Sequence, residues 1–149
     1  MKRSATLSLA FVGAVLPVSV SAQATGEKTI NGCIAVGRAG AQVTAEGRLT
    51  LRQMPGPPNF ESIRDGDENR LTLILVLPVA VCTNDGGDFA NPKLKFATVH
   101  VFTLDPAIYQ KLRRLVGRRV RVSGDGDAQN NGLQYAPLVL EAKSVTASK

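Results

Sequence analysis

The sequence predicts a mainly β fold, a five-stranded OB-like Greek-key barrel with one short helix between strands 3 and 4. Three observations point there. Apolar residues recur at every second position in several separate segments, the period of a half-buried strand. One helical signal, Asp105-Pro106 followed by an apolar stripe, falls between the third and fourth long strands. A β-sandwich would need about two more strands and has no set place for that helix, whereas the small barrel has one.

Each element has its own signal. Val43 to Arg52 is the first long strand, with Val43, Ala45, Gly47, Leu49 and Leu51 on one side and Thr44, Glu46, Arg48, Thr50 and Arg52 on the other. Gly47 in its middle predicts a bulge or sharp coil that lets one strand serve two sheets. Pro55, Pro57, Pro58, Gly56 and Gly66 keep Pro55 to Asn69 out of regular structure, as a long, stiffened connection. Arg70 to Leu77 is apolar on both faces, the mark of a central strand. Pro78 ends or bends it, and Val79 to Cys82 continues.

Thr83 to Pro92 is a polar loop, and Leu94 to Leu104 is the third long strand. Asp105 is a helix N-cap with proline at the first turn. Ile108, Leu112, Leu115 and Val116 form one apolar face, and Gly117 ends the helix. Arg119 to Ser123 alternates again, with Val120 and Val122 inward. A loop of glycine, aspartate and asparagine then spans Gly124 to Gly132, and Pro137 to Val145 is the last strand. Ahead of the barrel, Gln23 to Thr29 is a flexible polar leader, Ile30 to Val36 a short strand or arm around Cys33, and Gly37 to Gly40 a turn.

The chain opens with Lys2 and Arg3, an almost unbroken apolar run from Ala5 to Leu16, Pro17, and the small residues Val20-Ser21-Ala22. That order predicts a secretory signal peptide over residues 1–22, cut ahead of Gln23. The apolar run is shorter than the ~20 residues a membrane-spanning helix needs. The expected organisation is a signal peptide (1–22), an N-terminal arm (23–42) and a barrel domain (43–149). The product is expected in the periplasm or outside the cell, without a membrane span and as a monomer. The formal charge of +6 falls by two once Lys2 and Arg3 leave, a mild excess that argues weakly for nucleic acid.

Cys33 and Cys82 both follow the cut, and in an oxidising compartment an even pair reads as one disulfide. Closing about 50 residues stabilises a fold by roughly 4 kcal/mol on the loop-entropy model. Metal-binding or reactive thiols are the competing reading, but metal sites want clustered ligands such as C-x-x-C, and neither cysteine has such neighbours.

Three stretches, GRLTLRQMPGPPNFESIRDGDEN (Gly47 to Asn69), LPVAVCTND (Leu77 to Asp85) and YQKLRRLVGRRVRVSGD (Tyr109 to Asp125), carry a family likeness. Together they resemble the bacterial domain of unknown function DUF4431, small exported proteins with a Gly-Pro-Pro-Asn-aromatic-Glu-Ser-Ile loop and a Leu-hydrophobic-Gly-Lys/Arg-Arg-Val turn. The resemblance runs from about Val43 to Val145 and is compatible with a cysteine pair at Cys33 and Cys82. It implies a fold more than an activity. Many such proteins carry histidines before the last strand, where this chain reads DGDAQNNGLQYAPLVL, so no metal role follows from the resemblance.

The residues that could carry chemistry are few. His100 is the chain's single histidine. It has no adjacent nucleophile motif or orienting partner for general-base work, and reads as structural or surface. Glu61, Asp65, Asp67 and Glu68 cluster in the proline-rich connection without the ordered ligand series of a calcium loop. Asp85/Asp88 and Asp125/Asp127 resemble short turns. No metal and no cofactor are expected.

Arg113, Arg114, Arg118, Arg119 and Arg121 lie close enough to attract an anionic partner, or to form a solvated face at a cation-favouring helix end. Five phenylalanines, two tyrosines and no tryptophan are few for base-stacking platforms, so no nucleic acid is expected. Pro57, Pro58, Asn59, Phe60 and Glu61 form a stiff loop beside the usual barrel binding face, where rigidity lowers the entropy cost of binding. Alternatively, Phe60 and Ile63 simply pack over a barrel end.

The expectation is an exported, non-catalytic binding module of the cell envelope, engaging or inhibiting an envelope protein through the proline-rich loop and the arginine patch. A small-ligand or anionic-glycan binder is the alternative reading, and an uncharacterised hydrolase the third.

Overall fold

The computed structural model describes residues 24–26, 28–37 and 42–149. The signal peptide, its cut and positions 38–40 of the expected turn lie outside these described residues. In chain order the elements are β1 (Ala24–Gly26), β2 (Thr29–Ile30), β3 (Cys33–Ala35), β4 (Gln42–Pro55), β5 (Asn69–Val81), β6 (Thr83–Asn84), β7 (Phe96–Phe102), α1 (Pro106–Arg114), β8 (Arg119–Ala128) and β9 (Leu138–Ala147).

The five long strands hydrogen-bond in the order β4-β5-β7-β9-β8, and β8 pairs back onto β4 to close the barrel. All neighbours run antiparallel except β7 and β9. With α1 bridging β7 and β8, this is the OB-like barrel that the sequence predicts.

Alternation decides what lies inside. Leu49, Leu75, Val99, Val101, Val120, Val122, Leu138 and Leu140 all point inward and are almost fully buried, each contributing about 1.5–3 kcal/mol by leaving water. At Gly47 the β4 backbone crosses so close to β5 that an added Cβ would sit 2.2 Å from the Val76 carbonyl oxygen. No other residue fits there, and β4 coils at this point from β1 and β8 to β5.

Helix α1 forms as its sequence requires. The Asp105 carboxylate accepts from the backbone N–H groups of Ala107 (2.7 Å) and Ile108 (3.3 Å). Leu112 is fully buried, and Ile108, Leu115 and Val116 pack against the core. The Gly117 N–H donates to the Leu49 carbonyl at 2.7 Å, pinning the helix end to β4.

Three expectations are corrected. Gly124 to Ala128 is strand, not loop, and β8 runs on to Ala128 with a bulge at Ser123/Gly124. The glycine is there because β9 passes so close that a Cβ would lie 1.9 Å from the Glu141 carbonyl oxygen. Asp125 and Asp127 are consequently strand residues rather than turn residues. The polar leader contains β1, which pairs antiparallel with Val43–Ala45 of β4, and the loop after Cys82 begins with β6, which pairs parallel with β3.

The disulfide is formed: Cys33 and Cys82 are bonded, with their Cα atoms 4.9 Å apart. It ties the N-terminal arm to the barrel, whose core takes in the arm's Ile34 and Val36.

Candidate binding groove and arginine cluster

The proline-rich connection folds around one carboxylate. Asp67 is almost completely buried, and its two oxygens accept from the backbone N–H groups of Asn59 (2.9 Å), Glu61 (2.7 Å) and Ser62 (2.8 Å). The N–H groups of Ser62 and Asn59 hold its pKa below the usual carboxylate range, against the opposing effect of burial. Gly56 and Glu68 close the base of the loop, Gly56 N–H donating to the Glu68 carbonyl at 2.7 Å.

Pro57, Pro58, Asn59 and Glu61 therefore stand out in water on a fixed backbone. Phe60 alone turns inward. It adopts φ 60°, a region that side-chain-bearing residues seldom occupy, and its ring packs against Gly132, where an added Cβ would approach it to 3.2 Å.

That contact joins two loops, the second being the 129–137 connection between β8 and β9. The Tyr135 hydroxyl donates to the Pro55 carbonyl at 2.9 Å, and the Tyr135 ring lies 5.6 Å from that of His100. Over β5 and β7, beside the 129–137 loop, runs a groove of about 540 Å³ lined by Leu71, His100, Phe102, Tyr109, Leu133 and Tyr135 among others. Leu71 is 59% exposed, Leu133 45%, Tyr109 43% and Phe102 37%. The groove's cation, Arg70, is ion-paired at 3.0 Å with Glu68.

His100 lies opposite Ile74 on β5 and Val139 on β9. Its Nδ1 accepts from the Tyr135 backbone N–H at 3.4 Å, leaving Nε2 as the nitrogen that can carry a proton. Burial lowers its pKa from the ordinary histidine value, favouring the neutral ring. In that state it is a hydrogen-bond donor among the side chains lining the groove.

The arginine cluster is differently built from the expected patch. Glu46 points outward, as its alternation predicts, yet it is buried rather than solvated. Arg119 Nε lies 2.9 Å from one of its oxygens and Arg121 Nη2 3.0 Å from the other. Burial raises the Glu46 pKa, but hydrogen bonds from Arg121 and Ser148 and the charges of Arg119 and Arg121 outweigh it, and the net shift is downward. Arg119 and Arg121 are therefore clamped on a carboxylate. Arg113, Arg114 and Arg118 are exposed and make no ion pair among the described residues.

The predicted residues fall on two separate surfaces. Arg119 pairs with Arg48 on β4, whereas the loop begins at Pro55, seven residues further along that strand, or roughly 23 Å at ~3.3 Å per residue. Sequence reasoning missed most of the groove, because Leu71, Tyr109, Leu133 and Tyr135 come from three separate elements with no shared motif. It also placed Asp67 among solvated turn residues. Asp85 does serve its own turn, accepting from the N–H groups of Gly87 (3.0 Å) and Phe89 (3.2 Å).

The arrangement is that of an OB-like barrel with its two long loops meeting over strands β5 and β7. Residues 98–146, from within β7 through α1 and β8 into β9, match the family model of a domain of unknown function, DUF4431. The match contains the Tyr109 to Asp125 run. The Gly-Pro-Pro-Asn-Phe-Glu-Ser-Ile loop lies outside the matched residues. Neither the curated proteins nor the solved structures give a match to this chain.

Proposed function

We propose that this protein is a non-catalytic binding module of the cell envelope that grips a segment of a partner protein in the groove over β5 and β7. The observation that carries the reading is the lining: four large apolar side chains, Leu71, Phe102, Tyr109 and Leu133, are kept partly in water around one groove. A barrel gains nothing in stability from leaving such residues uncovered, and clustered exposed apolar surface marks interaction sites.

The chemistry favours a peptide. Arg70 is neutralised by Glu68, so the groove offers no row of free cations for a phosphate backbone. Tyrosine and phenylalanine give rigid contact area of the kind enriched at protein interfaces. The fixed Asp67-centred loop beside the groove keeps the ordering cost of association low. OB-like barrels use this face and these two loops to hold ligands.

Export supports the setting. Residues 1–22 have the order of a signal peptide, the disulfide suits an oxidising compartment, and no helix among the described residues is long and apolar enough to cross a membrane. The test is selection of a random heptapeptide display library on the immobilised protein. Enriched peptides should bind the native chain and lose at least about tenfold in affinity to Leu71→Ser or Phe102→Ala. Peptides that bind both variants as well as the native chain would sink the groove as the site.

A further inference from the structure

A second, chemically different recess lies where β4, β5 and the start of β8 meet. It has a volume of about 370 Å³ and is lined by Arg48 and Arg119, by Val76, Leu77 and Pro78 of β5, and by Gly47 and Gly117. From these we infer a binding site for a small anionic sugar, a phosphate- or carboxylate-bearing ring whose charge lies between the two guanidinium groups and whose apolar face rests on Val76 and Pro78.

The argument starts from charge. Arg48 and Arg119 are directly opposite each other on neighbouring antiparallel strands, a placement in which like charges destabilise a sheet. Glu46 is the anion next to them, and it is already shared between Arg119 and Arg121. One carboxylate among Arg48, Arg119 and Arg121 leaves a local charge of two positive units. Arg48 makes no ion pair among the described residues.

Geometry adds the second part. Arg119 approaches Glu46 through Nε at 2.9 Å while its side chain stays 44% exposed, and a guanidinium has five N–H donors, more than one carboxylate oxygen uses. A guanidinium fork of this kind matches the paired oxygens of a carboxylate or phosphate. At Gly117 a Cβ would meet nothing within 4 Å, so the recess stays open between the arginines and the β5 residues. An inorganic ion would leave the apolar part of the recess uncovered, whereas a sugar ring covers it. The site is distinct from the peptide groove and stands or falls without it.

The experiment is a nitrogen-15 NMR titration of the folded protein with glucose 6-phosphate, galacturonate and neutral glucose, at constant ionic strength set with chloride. Either acid should give saturable shifts at the Gly47 and Gly117 amides, and glucose none. Arg48→Gln, an exposed substitution at a residue that makes no ion pair with Glu46 among the described residues, should weaken binding at least tenfold with the rest of the spectrum unchanged. Binding of the phosphate ester alone, the uronate alone, or both would uphold the site and name the anionic group. No saturable shift from either acid, equal binding by glucose, or undiminished binding by the Arg48→Gln protein would overturn it.

Discussion

The hydroxyl of Tyr135 donates a hydrogen bond to the carbonyl oxygen of Pro55 across 2.9 Å, linking residues 80 positions apart and locking the 129–137 connection to the root of the proline-rich loop. With the Phe60–Gly132 contact, this one bond holds in place the loop that carries Leu133 and Tyr135 to the groove. Tyr135→Phe should therefore keep the barrel and lose about 1 kcal/mol, the usual net value of such a bond. Groove binding should fall by more than that stability change alone accounts for. Thermal unfolding and peptide titration of the same variant check this; full-strength binding would show that the loop is held in place by something else.

Asp67 is the keystone of the other loop. Asp67→Ala strands three backbone N–H groups that its carboxylate now satisfies, and an unmade bond to a buried donor costs more than a made one contributes. Amide exchange at Asn59, Glu61 and Ser62 should accelerate about tenfold or more, with β7 to β9 unaffected. Unchanged protection at those three amides would contradict the assigned role.

Acid should act on two places in the same direction. The folded-state pKa values of Glu46 and Asp67 are both lowered. Their contribution to stability is thus complete above the ordinary carboxylate range and is lost as pH falls below about 4. A plot of unfolding free energy against pH should decline there. Glu46→Gln should flatten part of the decline and cost about 1–2 kcal/mol at neutral pH, modest because the arginine heads are half in water. A native curve that stays level down to pH 2 would contradict both assignments.

Reduction tests the arm. The disulfide spans 49 positions, and cutting it should remove up to about 4 kcal/mol, seen as a lower Tm with dithiothreitol. The loss should appear first as faster exchange at Ile34 and Val36, the arm residues packed in the core. An unchanged Tm in the reduced protein would mean that packing alone holds the arm.

The barrel was legible because its information is local and periodic: inward Leu49, Val99, Val101, Val120 and Val122 keep a strict period of two, and Asp105-Pro106 announces α1. The extension of β8 was hidden by Gly124 and Gly126, which read as loop until the close passage of β9 shows why only glycine fits. Glu46 was read on the correct side of its strand. Its burial comes from Arg119 and Arg121, more than seventy residues away, and no local pattern reports that. The groove was illegible for the same reason, since His100 sits against Tyr135 only once loop 129–137 folds back over β7.

The central claim is that the face over β5 and β7 is where this protein holds its partner. The most direct measurement is a chemical-shift map, recorded on the folded protein, with the tightest heptapeptide from the display selection. Shifts concentrated at Leu71, His100, Phe102, Leu133 and Tyr135 are the predicted result. Shifts confined to other faces, with those five signals unmoved at saturation, would contradict it.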